Sequence, residues 1–150
     1  MDIRVIGVGN VFMSDAGFGP YVVRVLEALY ELPANVQVVD AGLPGLDLAP
    51  HLHSADAVIV IETVTGGGRA GEVRAFRCDR GLHLGMVPEW VATGVRLSQP
   101  VRAAITPVIG LILTELERLG VGVRCRLSPR HPDTWWERGE DIAAHRYAGV

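Results

Sequence analysis

The feature that most constrains the fold is a run of apolar, mostly β-branched residues at the start of the chain. Residues 2–8 read DIRVIGV, and Gly7 and Gly9 lie at the end of the run. A short, continuously apolar segment bounded by glycine is typical of a strand buried on both faces. The sequence therefore predicts a central strand in a sheet.

Strand-like and helix-like segments alternate after this first strand. Residues 20–33 carry apolar side chains at helical spacing, residues 36–40 and 57–62 read as strands, and residues 46–51 read as a short helix. This alternation predicts parallel strands joined by right-handed crossovers. The loops that follow the three strands then meet at one edge of the sheet, where such folds bind their ligands.

The second half of the chain adds outer elements. Residues 72–78 alternate apolar and charged side chains, which favours an outer or antiparallel strand, and residues 82–87 and 121–127 suggest two more strands. A long helix should start at Ser98, as its cap, and end at Gly120, and Pro107 predicts a bend or break within it.

The length of 150 residues suits one domain with one core. We expect an α/β domain over residues 1–127, built as a three-layer sandwich with a mostly parallel central sheet, and a C-terminal tail over residues 128–150. The tail is expected to wrap on the domain or to reach a partner. Its Trp135 and Trp136 are suited either to capping the core or to a partner-binding patch, and the sequence does not separate these two roles.

Charge and composition exclude several classes of function. The net charge is −3 and 49% of the residues are hydrophobic, which disfavours disorder and argues against a nucleic-acid partner. No secretory signal precedes the first strand, so we expect a cytoplasmic protein. The longest apolar stretch, residues 103–113, is too short for a membrane span. Cys78 and Cys125 lack CxxC spacing and are assigned no redox or zinc role.

The turn after the first strand carries the most specific motif, GVGNVFMSDAGFGPYVV at residues 7–23. Two glycine clusters bracket Asp15, which lets the chain turn sharply and brings helix and loop close together. This motif closely resembles that of the hydrogenase maturation endopeptidase family. The resemblance resumes in GMVPEWVATGVRLSQPVRAAITPVIGLIL at residues 85–113, so it covers most of residues 1–120.

This resemblance implies both a fold and an activity. The fold is a phosphorylase/hydrolase-like three-layer sandwich. The activity is that of a nickel-dependent, metal-assisted endopeptidase that removes the C-terminal extension of the [NiFe]-hydrogenase large-subunit precursor. The nickel arrives with the substrate, so the enzyme needs no serine or cysteine nucleophile but carboxylates and an imidazole that complete the metal shell.

The resemblance also implies site residues, with two departures from the family pattern. Glu62 is the acid that ends the third strand, and Asp15 is the first member of an acidic pair whose second member is Ala16 here. The segment that carries the family's histidine is missing between Arg77 and Leu84, so His83 is the candidate to replace it. Glu62, Asp15 and His83 are thus the predicted metal ligands.

The predicted substrate-binding residues are Asn10, Asp40 and Gly42, which match the family's GxGN turn and the turn after its second strand.

Four of these residues also have a structural interpretation, which for Glu62 is a solvated surface charge. Asp15 suits an Asx turn or a helix cap, Asp40 suits hydrogen bonds to loop amides, and His83 suits a surface or packing position. His131 and His145 lie in the tail and could bind metal only if the tail folds back.

Two other functions stay open. One is a catalytically impaired relative that binds a hydrogenase subunit without cleaving it. The other is a nucleotide-binding α/β domain, although Phe12 stands where GxGxxG needs its third glycine.

Overall fold

A computed structural model describes residues 1–43 and 48–138. The strands are β1 (Ile3–Val8), β2 (Tyr30–Glu31), β3 (Val36–Gly42), β4 (Ala57–Thr63), β5 (Val73–Cys78), β6 (Gly81–Met86) and β7 (Arg124–Cys125). The helices are α1 (Phe18–Leu29), α2 (Leu48–His53), α3 (Gln99–Ala103) and α4 (Ile105–Arg118), and a 3-10 turn, Ser14–Gly17, precedes α1. No helix in these residues is long and apolar enough to cross a membrane.

Within the described residues, five strands form the main sheet in the order β3-β1-β4-β6-β5. The pairs β1–β3, β1–β4 and β4–β6 are parallel, and β5 pairs antiparallel with β6. The predicted α/β fold with a mostly parallel central sheet is confirmed. The first strand lies inside the sheet, between β3 and β4, and residues 73–78 form an antiparallel edge strand.

Helices cover the sheet on both faces, because side chains along each strand point alternately to the two sides. The larger core cluster joins one sheet face to α1 and α4, with Phe18, Ile59 and Ile112 fully buried in it. A smaller cluster around Ile6 and Val58 lies on the other face, where α2 packs. The predicted start of α2, at residue 46, falls outside the described residues.

Two predicted elements differ in the structure. The predicted strand at 121–127 is reduced to β7, which pairs antiparallel with β2 outside the main sheet. Val121 is buried and Val123 packs against the larger core, but from Arg124 onward the segment carries two arginines and a fully exposed Leu127, so its apolar part ends before β7. The first helix ends at Leu29 rather than near Pro33, because Tyr30 is already extended at φ −125° and ψ 149°.

The long C-terminal helix is divided in two. α3 ends at Ala103, and α4 begins at Ile105. Pro107 lacks a backbone N–H, and its ring would clash with the carbonyl of Ala103 in a continuous helix. The predicted bend or break is therefore a one-residue interruption at Ala104, three residues before the proline.

The N-terminal end of α1 lies directly against the backbone of two strands. A Cβ atom added at Gly19 would lie under 3.0 Å from the carbonyl oxygens of Val8 and Ile61. Both oxygens are backbone atoms of the central sheet, so they cannot rotate away. The absence of a side chain at this position sets how closely α1 approaches β1 and β4.

We expect Gly19→Ala to lower the free energy of unfolding by about 2 kcal/mol or more, since the new methyl group overpacks rigid backbone. Gly110→Ala is the matched control, because Gly110 is also helical and a Cβ added there would meet nothing within 4 Å. The control should raise stability by about 0.5 to 1 kcal/mol through helix propensity. Urea unfolding of both variants measures this, and equal effects would contradict the close approach.

Candidate functional site

A cavity of about 360 Å³ lies where β1 and β4 end. Gly9, Asn10 and Ala16 line it from the turn between β1 and α1, and Glu62 lines it from the end of β4. The carboxyl ends of parallel strands are where α/β folds place their sites. The structure thus brings Glu62 and the glycine-bracketed turn to one hollow.

Side chains along β4 point alternately to the two faces of the sheet, and this alternation sets the direction of Glu62. Ile59 and Ile61 are fully buried in the larger core, so Val60 and Glu62 point to the opposite face. Gly85 of β6 is the residue paired with Glu62 and has no side chain, while His83 of β6 is paired with Val60. His83 therefore lies on the same face as Glu62, one pleat away.

Glu62 and His83 are in direct contact. His83 Nε2 lies 2.7 Å from Glu62 Oε1, and both side chains are 35% exposed. Because a carboxylate can only accept, His83 Nε2 carries the proton and donates it to Glu62. In the neutral imidazole this contact leaves Nδ1 as the acceptor.

The register of β6 against β4 places His83 here, and β6 follows β5 after a short connection. Cys78 ends β5, Gly81 begins β6, and two residues lie between them. The ring of Phe76 on β5 lies 6.2 Å from the His83 ring. The side chain of His83 lines a neighbouring groove of about 190 Å³ rather than the Glu62 cavity itself.

The placement of Asp15 corrects the expectation that it turns into the cleft. Its side chain is fully buried and does not line the cavity. Oδ2 accepts hydrogen bonds from the N–H groups of Glu89 and Trp90, at 2.9 and 3.2 Å. Ser98 donates its backbone N–H to Oδ1 at 2.7 Å and its hydroxyl to Oδ2 at 2.8 Å. Asp15 is thus neither the predicted metal ligand nor the Asx turn or helix cap of the structural interpretation, because its carboxylate caps no helix and both oxygens accept from a distant loop.

Asp15 therefore holds two chain segments together. The 3-10 turn before α1 carries the carboxylate, and the loop between β6 and α3 supplies all four donors. Ser98 occupies the N-cap position of α3, as predicted, but its hydroxyl donates to Asp15 and makes no capping bond to the helix. The loop contributes Val91 to the cavity wall, so this buried carboxylate shapes the site without facing it.

Asp40 and Gly42 lie beside a second cavity of about 240 Å³, which Asn10 also lines. Asp40 Oδ1 accepts the N–H of Gly42 at 3.2 Å, and Arg24 donates to Oδ2 at 3.2 Å. The loop-amide interpretation of Asp40 thus describes its contacts. Gly42 has a φ of +57°, a conformation in which glycine carries no steric penalty.

Within the described part of the chain, the donor set for a metal is incomplete. No group of three or more His, Cys, Asp or Glu side chains that could hold a metal is found in residues 1–43 and 48–138. The methyl group of Ala16 lines the Glu62 cavity where the family resemblance expects a second acid. Glu62 and His83 are the pair that the described chain offers, His131 does not line the cavity, and His145 lies outside the described residues.

Sequence reasoning missed the apolar walls of the two cavities. Phe12, Leu43 and Val91 line them, and so does Trp135, whose role the sequence left open. The spacing of the glycines and the positions of the acids do not indicate which apolar side chains line the cavities. Their proximity arises from contacts between segments far apart in the chain.

We expect Asp15→Asn to lower the free energy of unfolding by about 2 to 4 kcal/mol, because an amide NH₂ would face buried N–H donors. Asp56→Asn is the control, since the Asp56 side chain is 63% exposed. Urea denaturation of both variants measures the difference. Unchanged stability of Asp15→Asn, combined with lost peptidase activity, would restore the metal-ligand interpretation.

Relatives of this chain contain residues, within the aligned region, that have no counterpart in this chain. Hydrogenase expression/formation protein HupM of Azotobacter chroococcum mcd 1 is 28% identical over 180 residues, covering 97% of this chain and 84% of that protein. Since 97% of 150 residues is about 146, about 34 aligned positions lie opposite gaps in this chain. This chain is therefore shorter than this relative within the aligned region.

A second relative also has residues without a counterpart in this chain, and a solved structure shares its fold. Hydrogenase expression/formation protein HupD of Bradyrhizobium diazoefficiens is 30% identical over 161 residues, covering 85% of this chain and 84% of that protein. Here about 128 residues of this chain are aligned, so about 33 positions lie opposite gaps. The hydrogenase maturating endopeptidase HybD from E. coli shares the fold, with a TM-score of 0.80 at 24% identity, over 84% of this chain and 98% of that chain.

The family model described as Hydrogenase maturation protease matches residues 20–86 of this chain. That range contains Asp40, Glu62 and His83. Together with the 30% identity to HupD over most of both chains, this match shows that the chain belongs to the hydrogenase maturation protease family.

Proposed function

We propose that this chain is an endopeptidase that removes the C-terminal extension of a [NiFe]-hydrogenase large-subunit precursor. The observation that carries the proposal is the position of Glu62, which faces a cavity beside the Gly9–Asn10 turn while His83 lies 2.7 Å from its carboxylate. Family membership supplies the class of reaction. The substrate and its metal remain our proposal, as does a cytoplasmic location.

Nickel enters this proposal as part of the substrate. A carboxylate oxygen and an imidazole nitrogen are suitable donors for Ni²⁺. Within the described residues, Glu62 Oε2 makes no hydrogen bond, so it is available to a group that enters the cavity. Two donors from this chain suffice only if the precursor's own side chains hold the metal, because the described residues offer no third ligand.

Hydrolysis adds one water molecule across the peptide bond, so a proton must leave the water and another must reach the departing amine. A carboxylate paired with an imidazole can accept and return such a proton. In the neutral imidazole that donates Nε2–H to Glu62, Nδ1 is unprotonated. The pair thus provides a metal-binding oxygen on Glu62 and one imidazole nitrogen on His83 that can either bind the metal or accept a proton, but not both at once.

The hydroxyl groups around the cavity are already engaged, which argues against a serine or threonine nucleophile. Ser14 donates its hydroxyl to the Ala92 carbonyl at 2.9 Å, and Thr63 donates to the Asp15 carbonyl at 3.0 Å. Cys78 and Cys125 are exposed, and neither lines the Glu62 cavity. Attack by water therefore suits this site better than a covalent intermediate.

We expect Glu62→Gln to reduce cleavage of a nickel-loaded precursor by about 100-fold or more, since the amide keeps the shape but removes the anionic oxygens. Loss of the C-terminal peptide is followed by mass spectrometry. Glu117→Gln, an exposed change on α4, is the control and should cleave normally. Equal rates for Glu62→Gln and the wild type would overturn the role of Glu62.

A second candidate function is a relative that binds a hydrogenase subunit without cleaving it. Ala16 at the cavity wall and the two-residue β5–β6 connection favour this alternative, because both remove donors that the family pattern contains. The variant Ala16→Glu separates the two candidates. If the wild type binds the precursor without cleaving it and Ala16→Glu gains cleavage, the impaired relative is the correct description.

The nucleotide-binding alternative lacks space at the glycine turn. A Cβ added at Gly7 or Gly19 would collide with backbone of the opposing segment, and one at Gly9 would collide with the Ala16 carbonyl. These glycines therefore accommodate contacts within the chain. A pyrophosphate needs the same backbone N–H groups and the same space to be free.

A further inference from the structure

Exposed apolar side chains collect around the two cavities. Phe12 is 52% exposed, Leu43 70%, Val91 49% and Trp135 50%. Val91 and Leu43 line the Glu62 cavity, whereas Leu43, Phe12 and Trp135 line the second one. Clustered apolar surface of this kind marks a binding surface more often than isolated exposed residues do.

The two cavities adjoin each other on either side of one turn. Both are lined by Gly9, Asn10 and Leu43. Asn10 Oδ1 accepts the N–H of Phe12 at 3.0 Å, and in the described residues the Asn10 side-chain amide has no acceptor. A peptide that crosses this turn would place one part of its chain beside Glu62 and a neighbouring part beside Phe12.

Among the described residues, mainly apolar groups line the second cavity, and its charged residue is paired. Phe12 and Trp135 meet edge to face, with ring centroids 5.9 Å apart. Asp40, its acidic residue, is paired with Arg24 at 3.2 Å. At about 240 Å³ the cavity is below the range of about 300 to 1,000 Å³ typical of small-molecule sites. It suits one large side chain better than a whole ligand.

The position of Trp135 is set by its neighbours in the chain. Trp136 is 4% exposed within the core and lies 5.7 Å from Trp135 and 6.2 Å from Tyr21. Glu137 is paired with Arg102 of α3 at 3.1 Å. The structure therefore separates the two tryptophans: Trp136 anchors the segment, and Trp135 presents half of its surface at the second cavity.

We propose that the second cavity is a subsite for an apolar side chain of the substrate next to the bond that is cut, with Trp135 and Phe12 as its specificity-determining residues. This inference rests on the proposed peptidase function and names the substrate feature that the cleft selects. An apolar side chain would cover the exposed ring faces, and rigid aromatic side chains make such contacts at little cost in conformational entropy.

The test uses short fluorescein-labelled peptides of one polar host sequence with Phe, Leu or Ser at the central position. Fluorescence anisotropy measures binding to the full chain. We expect the Phe and Leu peptides to bind about tenfold more tightly than the Ser peptide. Trp135→Ala and Phe12→Ala should lose this preference, with folding checked by thermal unfolding.

Trp90→Ala is the matched control. Trp90 is 51% exposed but lines neither cavity, and its contact with Asp15 is made by its backbone N–H. The control should keep the apolar preference. Equal binding of all three peptides to the wild type, or an unchanged preference in Trp135→Ala, would overturn the subsite.

Cleavage of the nickel-loaded precursor, measured in parallel, separates this inference from the proposed function. An apolar preference that depends on Trp135, without any cleavage, would support the subsite and reject the peptidase proposal. Cleavage by Trp135→Ala with the wild-type KM would reject the subsite and leave the peptidase proposal standing. A raised KM with a nearly unchanged kcat is the expected result for Trp135→Ala.

Discussion

The buried carboxylate of Asp15 is the interaction on which the architecture of the cleft depends. Its four hydrogen bonds join the turn after β1 to the loop before α3, segments that are more than 70 residues apart in sequence. Hydrogen bonds from N–H groups to a buried carboxylate are among the stronger ones in proteins, and leaving such a charge without partners is costly. Because those segments carry Ala16 and Val91, this connection sets the shape of the cavity that Glu62 faces.

The site combines a fixed backbone with a small number of polar groups. Gly19 lets α1 lie against β1 and β4, which places the turn of residues 9–16 beside the end of β4. Glu62 and His83 then extend from neighbouring, paired strands of the sheet. In relatives, about 33 additional aligned positions lie opposite gaps in this chain. We infer that the residues missing from this chain belong to the connection between β5 and β6, which is short here. As a result, the imidazole beside Glu62 is that of His83, on a strand of the sheet.

The sequence predicted the fold well because its main signals were local. The continuously apolar runs of β1 and β4 and the helical spacing in α1 required no knowledge of distant contacts. The role of Asp15 was ambiguous, since its donors belong to Glu89, Trp90 and Ser98, and nothing near Asp15 in the sequence reveals them. The contact of His83 with Glu62 depends on the register of β6 against β4. The difference in burial between Trp135 and Trp136 likewise depends on residues that are distant in the sequence, above all Tyr21.

The contact that we propose between Glu62 and the nickel of the precursor is the central claim. Nickel K-edge X-ray absorption of the loaded precursor, alone and mixed with this protein, tests that contact most directly. We expect the wild type to add oxygen or nitrogen scattering to the nickel shell and Glu62→Gln to leave the spectrum of the precursor unchanged. Cleavage of the precursor without any change in its nickel spectrum, or the same change with Glu62→Gln as with the wild type, would contradict it.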